Sequence, residues 1–436
     1  MKANIGHGRQ SNHRTALLTC SAVASLSLVL SGCSGQSGPA ADAGDSAGSG
    51  DHGTAAALQG DCGTVPTVEP NDPDDLLAEE SPELKELFNG FPYRIDASAW
   101  ADAGPLNDGE PATVGYLQLD SGSTYANAFA GQITASFKEA ESEGLVDRLI
   151  VQNPGGTGGS VTAADQLRAY SQLVQDGADI IIAQPVSGDA FVQAVNDAGK
   201  KGIPTVTWTG FIPSEYAVDV APNTFTTVAE PVSRGLEKID GEGNVMIVQG
   251  MEGMSVNTVS VESAKRVIGL CPDVSIVGTP AGDFSEAAAK SAVSTFLATH
   301  PQEIDMAYQV ASMGTGVFSA FDSAGRSPMP IVVDHIASAA SLAWWKKLQP
   351  DGYEGIATGG NGKMGAEAVF DISTRIIEGE GPKFNHIVTS NLLITEDNLD
   401  DFAVPDATTT SSEEIQSHGE LLPQEQTDLM FTHPGE

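Results

Sequence analysis

The chain has 436 residues, 58 acidic and 21 basic, for a formal net charge of −37. A surface this acidic has nothing with which to neutralise phosphates, which excludes nucleic acid as a partner. It says little about fold.

Residues 1–32 read as a signal peptide. Lys2, Arg9 and Arg14 precede an apolar run from Ala16 to Leu30, too short and too interrupted by Ser and Thr to span a bilayer permanently. The run ends in Leu30-Ser31-Gly32-Cys33, which resembles the bacterial lipobox. That resemblance implies cleavage before Cys33, a lipid on its thiol and an extracytoplasmic chain held at the outer face of the cell membrane by the lipid alone. Removing the three basic residues takes the charge from −37 to −40. Residues 33–60, mostly Gly, Ser, Ala, Asp and Gln, cannot bury a core and are expected to be a disordered tether. Cys20 leaves with the signal and Cys33 takes the lipid. Cys62 and Cys271 are left in an oxidising compartment. A disulfide between them and two free thiols are both open readings. Their spacing fits no metal site.

Residues 61–112 are rich in Pro, Asp and Glu and are expected to form an extension lying on the surface, with one short helix near Pro82–Phe88. From Thr113 to about Thr395, short apolar runs alternate with helical patterns. The predicted strands are Val114–Leu119, Arg148–Gln152, Ile180–Ala183, Thr205–Trp208, Val245–Gln249, Val274–Gly278, Met306–Val310, Ile331–Val333 and Gly355–Thr358. The helices between them include Ala126–Glu143, Ala163–Asp176, Asp189–Lys200, Thr224–Ile239, Val256–Leu270, Ser285–Thr299, Val317–Ala324, Ala339–Leu348 and Met364–Glu378. Ala163, Leu167, Tyr170 and Val174 show the one-sided spacing of a helix packed on a sheet. Alternation of this kind predicts an α/β chain of parallel sheets with right-handed crossovers. Roughly 285 residues exceed one comfortable core, so two α/β lobes are expected. Ligands in such sheets sit beyond the carboxyl ends of the strands.

Four segments carry a resemblance. They are Asp176-Gly177-Ala178-Asp179-Ile180-Ile181-Ile182 followed by Gln184-Pro185, Ala198-Gly199-Lys200-Lys201-Gly202-Ile203-Pro204-Thr205-Val206, Ala320-Phe321-Asp322-Ser323-Ala324-Gly325-Arg326, and Met364-Gly365-Ala366-Glu367-Ala368-Val369. Together and in this order, from about Val114 to Asn398, they resemble the type I periplasmic binding proteins of the ribose- and galactose-binding group, the substrate receptors of ABC importers. The resemblance implies two Rossmann-like lobes joined by a three-strand hinge, and a cleft that closes on ligand. It places the first lobe at 113–222 and 359–390, the second at 223–358 and 391–402, and a C-terminal tail at 403–436. The lactose-repressor group shares the fold, but no DNA-binding helices precede the lobes here.

The resemblance also directs attention to strand-end loops for ligand contacts. Tyr125 and Asn127 follow the first strand. Gln184 stands where the family often has Asn, and Trp208 where it usually has Asp or Asn. Trp208 is either a stacking platform or hinge core. In the second lobe, Asn257 is the best polar candidate where the family's Arg is missing. Ser312 replaces a usual Asp, Asp334 matches the family's ligand-binding Asp, and Asn361 stands in place of Gln or Asn. The competing reading of Asp334 is a helix cap before Trp344. The cleft has lost charge and gained Trp208, Met254 and Phe211, which implies a ligand less polar than ribose or a sugar read mainly by stacking.

Catalytic readings fail. Gly155-Gly156-Thr157-Gly158-Gly159-Ser160 lacks the Lys of a phosphate-binding loop. Gly44-Asp45-Ser46-Ala47-Gly48 lies in the tether, with no strand before it. No histidines have zinc-ligand spacing. No enzyme activity, cofactor or metal is therefore expected. The leading expectation is a monomeric, lipid-anchored receptor delivering a small molecule, by default a carbohydrate, to an ABC permease. The alternatives are a sensor of the same fold signalling to a membrane kinase, and a receptor for a less polar, non-sugar ligand.

Overall fold

A computed structural model of the chain describes residues 58, 60–119, 124–155, 161–252 and 254–432. The expected signal peptide, Cys33 and almost all of the tether lie outside these residues, as do Gly156–Ser160.

The described chain opens with a single-turn helix, α1 (Pro82–Leu87), capped by the Ser81 side chain. The first lobe follows as β1 (Ala112–Leu117), α2 (Thr124–Glu143), β2 (Val146–Gln152), α3 (Ala163–Gln175), β3 (Ile180–Ala183), α4 (Gly188–Gly199), β4 (Thr205–Trp208) and β5 (Ala217–Pro222). The chain then crosses to α5 (Thr224–Lys238), β6 (Glu242–Val248), α6 (Ser255–Ile268), β7 (Asp273–Gly278), α7 (Glu286–Thr299), β8 (Met306–Gln309), α8 (Gly314–Ser323), β9 (Ile331–Asp334), α9 (Ala339–Leu348) and β10 (Ile356–Thr358). It returns as α10 (Gly362–Glu378), β11 (Gly381–Pro382) and β12 (His386–Thr389). It crosses a third time to β13 (Leu393–Ile394) and α11 (Leu399–Phe402), and ends in α12 (Gln424–Leu429) and β14 (Phe431–Thr432).

Two six-stranded sheets result, ordered β12-β5-β4-β3-β1-β2 and β13-β10-β9-β8-β6-β7. Every pairing in them is parallel except β10 with β13. The central strands β3 and β4 are buried along their whole length, as strands covered by helices on both faces require. The three crossings are Asn223, residues 359–361 and residues 390–392. This is the expected two-lobed α/β architecture.

Among the described residues, five strands escaped the sequence reading: β5, β12 and β13 of the two large sheets, and the short β11 and β14. In β5 the polar Asp219 is 2% exposed, and in β12 His386 is 1% exposed. Each looks like a surface residue in the sequence. Burial pushes the Asp219 carboxyl up to about 6, and burial lowers His386 to about 3. Asp219 accepts from the Thr207 hydroxyl (2.6 Å) and the Gly210 N–H (3.1 Å), and the His386 ring lies 3.1 Å from the Arg94 carbonyl. Asp219 is thus partnered inside the sheet, whereas His386 Nδ1 has no hydrogen-bond partner and lies 3.9 Å from Asp219 Oδ2.

The expectation that residues 61–112 lie on the surface is corrected. Leu84, Phe88, Phe91 and Ile95 are fully or almost fully buried and belong to the core of the first lobe, beside Phe384 and Ile387. Burying side chains of this size contributes roughly 1.5–3 kcal/mol each. Gly90 turns the segment at φ +64°, and a Cβ there would lie 2.4 Å from the Phe225 ring. The Asn223 amide donates to the Leu87 and Asn89 carbonyls at 2.9 and 2.8 Å, which ties the extension to the first crossing. At its other end the extension is attached to the second lobe. There Cys62 and Cys271 form a disulfide with Cα atoms 4.7 Å apart.

Arg326, which ends one of the four resembling segments, has a structural role. Its guanidinium donates to the carbonyls of Leu297, His300, Pro301 and Gln302, closing the C-terminal end of α7.

Candidate functional site

In sheets of this topology the carboxyl ends of the strands and the N-termini of the following helices share one side, and in a two-lobed arrangement both such sides border the cleft between the lobes. The residues singled out from sequence fall on these edges, but they are brought together in separate groups.

On the first lobe, Tyr125 in the first turn of α2 and Trp208 at the end of β4 form a pair. The Trp208 indole N–H donates to the Tyr125 hydroxyl at 3.1 Å. Trp208 is 4% exposed, its ring lies over Phe129 with centroids 6.0 Å apart, and Gly365 packs against its edge. Of the two readings of Trp208, the core one describes its position. Burial raises the Tyr125 hydroxyl above its ordinary range, and the nearby Glu414 charge adds to this. Asn127 is exposed one position further along α2 from Ala126. Gln184, buried after β3, leaves its side-chain oxygen without a partner. Phe211 turns onto the His386 and Tyr93 rings, at 4.8 and 5.1 Å, so it joins the extension's packing and does not serve as a cleft platform.

On the second lobe, Asp334 at the end of β9 pairs in register with Gln309 at the end of β8. The Gln309 amide donates to Asp334 Oδ1 and to the His335 carbonyl, both at 2.7 Å, while its oxygen accepts from the Met313 N–H at 3.0 Å. Every group of Gln309 is therefore committed to holding this corner. Asp334 is 3% exposed, and its Oδ2 has no hydrogen-bond partner. Burial pushes this carboxyl up to about 6, against the pull of the nearby Ser341 hydroxyl and the Gln309 amide. The N-cap of α9 is Ser338, in a capping box with Ser341, so the cap reading of Asp334 does not apply. Gly314 opens α8 directly beneath the carboxylate, where a Cβ would lie 2.1 Å from Oδ1.

Of the other two second-lobe candidates, Asn257 belongs to a different loop, whereas the Ser312 N–H donates to the His335 carbonyl at 2.9 Å, the carbonyl that the Gln309 amide also bonds. Asn257 is buried in α6, and its oxygen accepts the Gly250 N–H at 2.7 Å, which shapes the loop before that helix. Ser312 is exposed, with φ +53°. Met251, Met254 and Val256 on the same rim as Asn257 are large apolar side chains open to solvent.

Asn361, on the second crossing, caps α10 by accepting from the Met364 N–H at 3.0 Å. Its amide donates to the Ile415 carbonyl at 3.2 Å and the Ser417 hydroxyl at 2.9 Å. A segment of the C-terminal tail thus uses a group that the sequence pointed to as a ligand contact. Gln309 and Glu414 were missed. Gln309 had a signal, a polar residue at the end of an otherwise apolar strand; Glu414 had none.

Among the described residues, no group of three or more His, Cys, Asp or Glu could hold a metal ion. No helix among them is long and apolar enough to cross a membrane.

Comparison with known proteins matches residues 119–376 to the family described as periplasmic binding protein domain. The xylitol-binding protein of Mycolicibacterium smegmatis is 24% identical over 245 residues, which is 54% of this chain; the chain spans 66% of that protein's length, just under two thirds. The galactofuranose-binding protein YtfQ of Escherichia coli is 23% identical over 232 residues, 50% of this chain and 68% of that protein. The crystal structure of an ABC transporter solute binding protein from Thermobispora bispora superposes with a TM-score of 0.56 at 23% identity, covering 68% of this chain and 90% of that one.

Proposed function

The chain belongs to the periplasmic binding protein domain family, and from that premise we propose that it is an extracytoplasmic receptor whose cleft closes on a sugar or polyol. It would deliver that ligand to an ABC permease. The observation that carries the ligand class is Asp334, a buried carboxylate at a strand end with one oxygen unpartnered. A buried acceptor without a donor is costly, and a ligand hydroxyl removes that cost. Relatives described as binding xylitol and galactofuranose support the reading. The exposed Met251, Met254 and Val256 favour a second reading, a ligand with a larger apolar face.

A thermal-shift screen of the purified full chain tests both. Xylitol, arabinose and myo-inositol at 100 times their dissociation constants should each add about 2.7 kcal/mol if bound. A shift with apolar compounds and none with any sugar or polyol would make the second reading the correct one.

The anchor is part of the same proposal and rests on the lipobox-like Leu30-Ser31-Gly32-Cys33. Cys33→Ala should move the protein from the membrane fraction to the soluble fraction, with loss of radiolabelled palmitate incorporation. Retention of both label and membrane association in the variant would remove Cys33 as the lipid site.

A further inference from the structure

The tail after α11 contacts both lobes on the cleft side. Its first part belongs to the second lobe. Ile415 is buried among Ala337, Leu342, Trp345, Ala357, Ile394 and Phe402. The Gln416 N–H donates to the Phe402 carbonyl at 2.8 Å, and the Ala339 N–H, at the N-terminus of α9, donates to the Glu413 carbonyl at 3.3 Å. Its last part belongs to the first lobe. Met430 and Phe431 are in that lobe's core, β14 pairs with β11, and Asp428 accepts from Arg375 at 2.9 Å.

Between these anchors the tail passes the N-terminus of α10, a first-lobe helix packed on α2. Glu414 Oε1 accepts the Gly362 N–H at 3.0 Å. The favourable end of the helix dipole faces this carboxylate. Asn361 adds two bonds to the same stretch. Consecutive residues 413–415 therefore bond the first turn of a second-lobe helix and the first turn of a first-lobe helix.

We infer that residues 413–417 are a strap across the cleft, and that the lobes separate only when the Glu414–Gly362 and Asn361 contacts let go. The chain's own carboxylate occupies a helix N-terminus that borders the ligand space, so strap release and ligand entry are coupled. Toward the first lobe the strap is held by hydrogen bonds, from Asn361 at the end of the second crossing and from the N–H of Gly362 that opens α10, whereas its second-lobe anchor is the buried Ile415.

Electron–electron distance measurement on the full chain, without ligand, tests this independently of what the cleft binds. Spin labels go on Ser171→Cys in the first lobe and Ser291→Cys in the second, both exposed. Glu414→Ala and, separately, Ile415→Ala should add a longer-distance population that the unaltered strap lacks, and Glu414→Gln, which keeps an acceptor oxygen, should not. Identical distributions for all variants would overturn the strap. Hydrogen exchange on the unaltered chain gives a second measurement that does not depend on variant folding. The Ala339 and Gly362 amides should exchange with one common opening, and clearly different protection would also overturn it.

Discussion

Replacing Cys62 and Cys271 together by alanine is expected to lower the stability of the folded chain by about 2–4 kcal/mol. The bond joins positions 209 residues apart. A loop of that size removes much of the unfolded chain's freedom, and the entropic gain grows slowly with length. The folded side of the balance adds little cost, since Cys271 is buried in the second-lobe core and Cys62 packs against it. Denaturant melts with and without a reducing agent measure the effect. The midpoint should fall in the double variant, and reduction should have no further effect on it. The first lobe should keep its fold, because Leu84, Phe88 and Phe91 hold the extension in place without the disulfide. An unchanged midpoint would show that the extension's packing alone sets the stability.

Asp334→Asn is expected to act in opposite directions on stability and on binding. The folded carboxyl titrates at about 6, above its ordinary 3.8. A raised folded value means that the protonated acid is favoured by folding. That contribution is fully present below 3.8 and is lost as pH rises through 6. Near pH 7.5 the empty protein therefore carries the whole cost of a buried charge, up to about 3 kcal/mol for a shift of about 2 units. Asn cannot ionise, so the variant should be more stable than the parent by about 1–3 kcal/mol at pH 7.5 and little different near pH 4. Under the proposed function it should also bind its ligand roughly 10- to 100-fold more weakly, because a hydrogen bond to a charged group contributes about 1.5–3 kcal/mol. Melts at the two pH values and a binding titration decide the matter. Equal stabilisation at both pH values would remove the buried-charge account. Unchanged affinity would remove Asp334 from the ligand site.

Most of the two lobes was legible from local pattern. A run such as Ile180–Ala183 is apolar throughout because helices cover both faces of its sheet, and this leaves a readable signature. In α3 the expected stripe was only partly right: Tyr170 is buried, but the rest of the buried face is Gln166, Ala169 and Leu173, while Ala163, Leu167 and Val174 are half-buried. The strands β5 and β12 were not legible. Asp219 and His386 sit inside them, and each has its partner on another segment: the Thr207 hydroxyl on β4 for Asp219, and the Arg94 carbonyl of the extension for His386.

The candidate site divides in the same way. Asp334 could be picked out because the family resemblance places a ligand-binding Asp directly after the apolar run Ile331–Val333. Its partner Gln309, 25 residues earlier, becomes meaningful only when β8 and β9 lie side by side. Trp208 remained ambiguous because nothing local distinguishes a ring facing solvent from one lying over Phe129.

The sequence by itself determined the α/β class, the two lobes and the edge on which ligand contacts are expected, since these follow from the periodicity of burial along each segment. Only the tertiary structure decided that residues 61–112 belong to a core, that Cys62 meets Cys271, and that Glu414 reaches Gly362. Each of these joins segments whose local composition is that of surface chain. Such segments are placed by contacts made across more than 50 residues, and a contact of that kind leaves no periodicity in either partner.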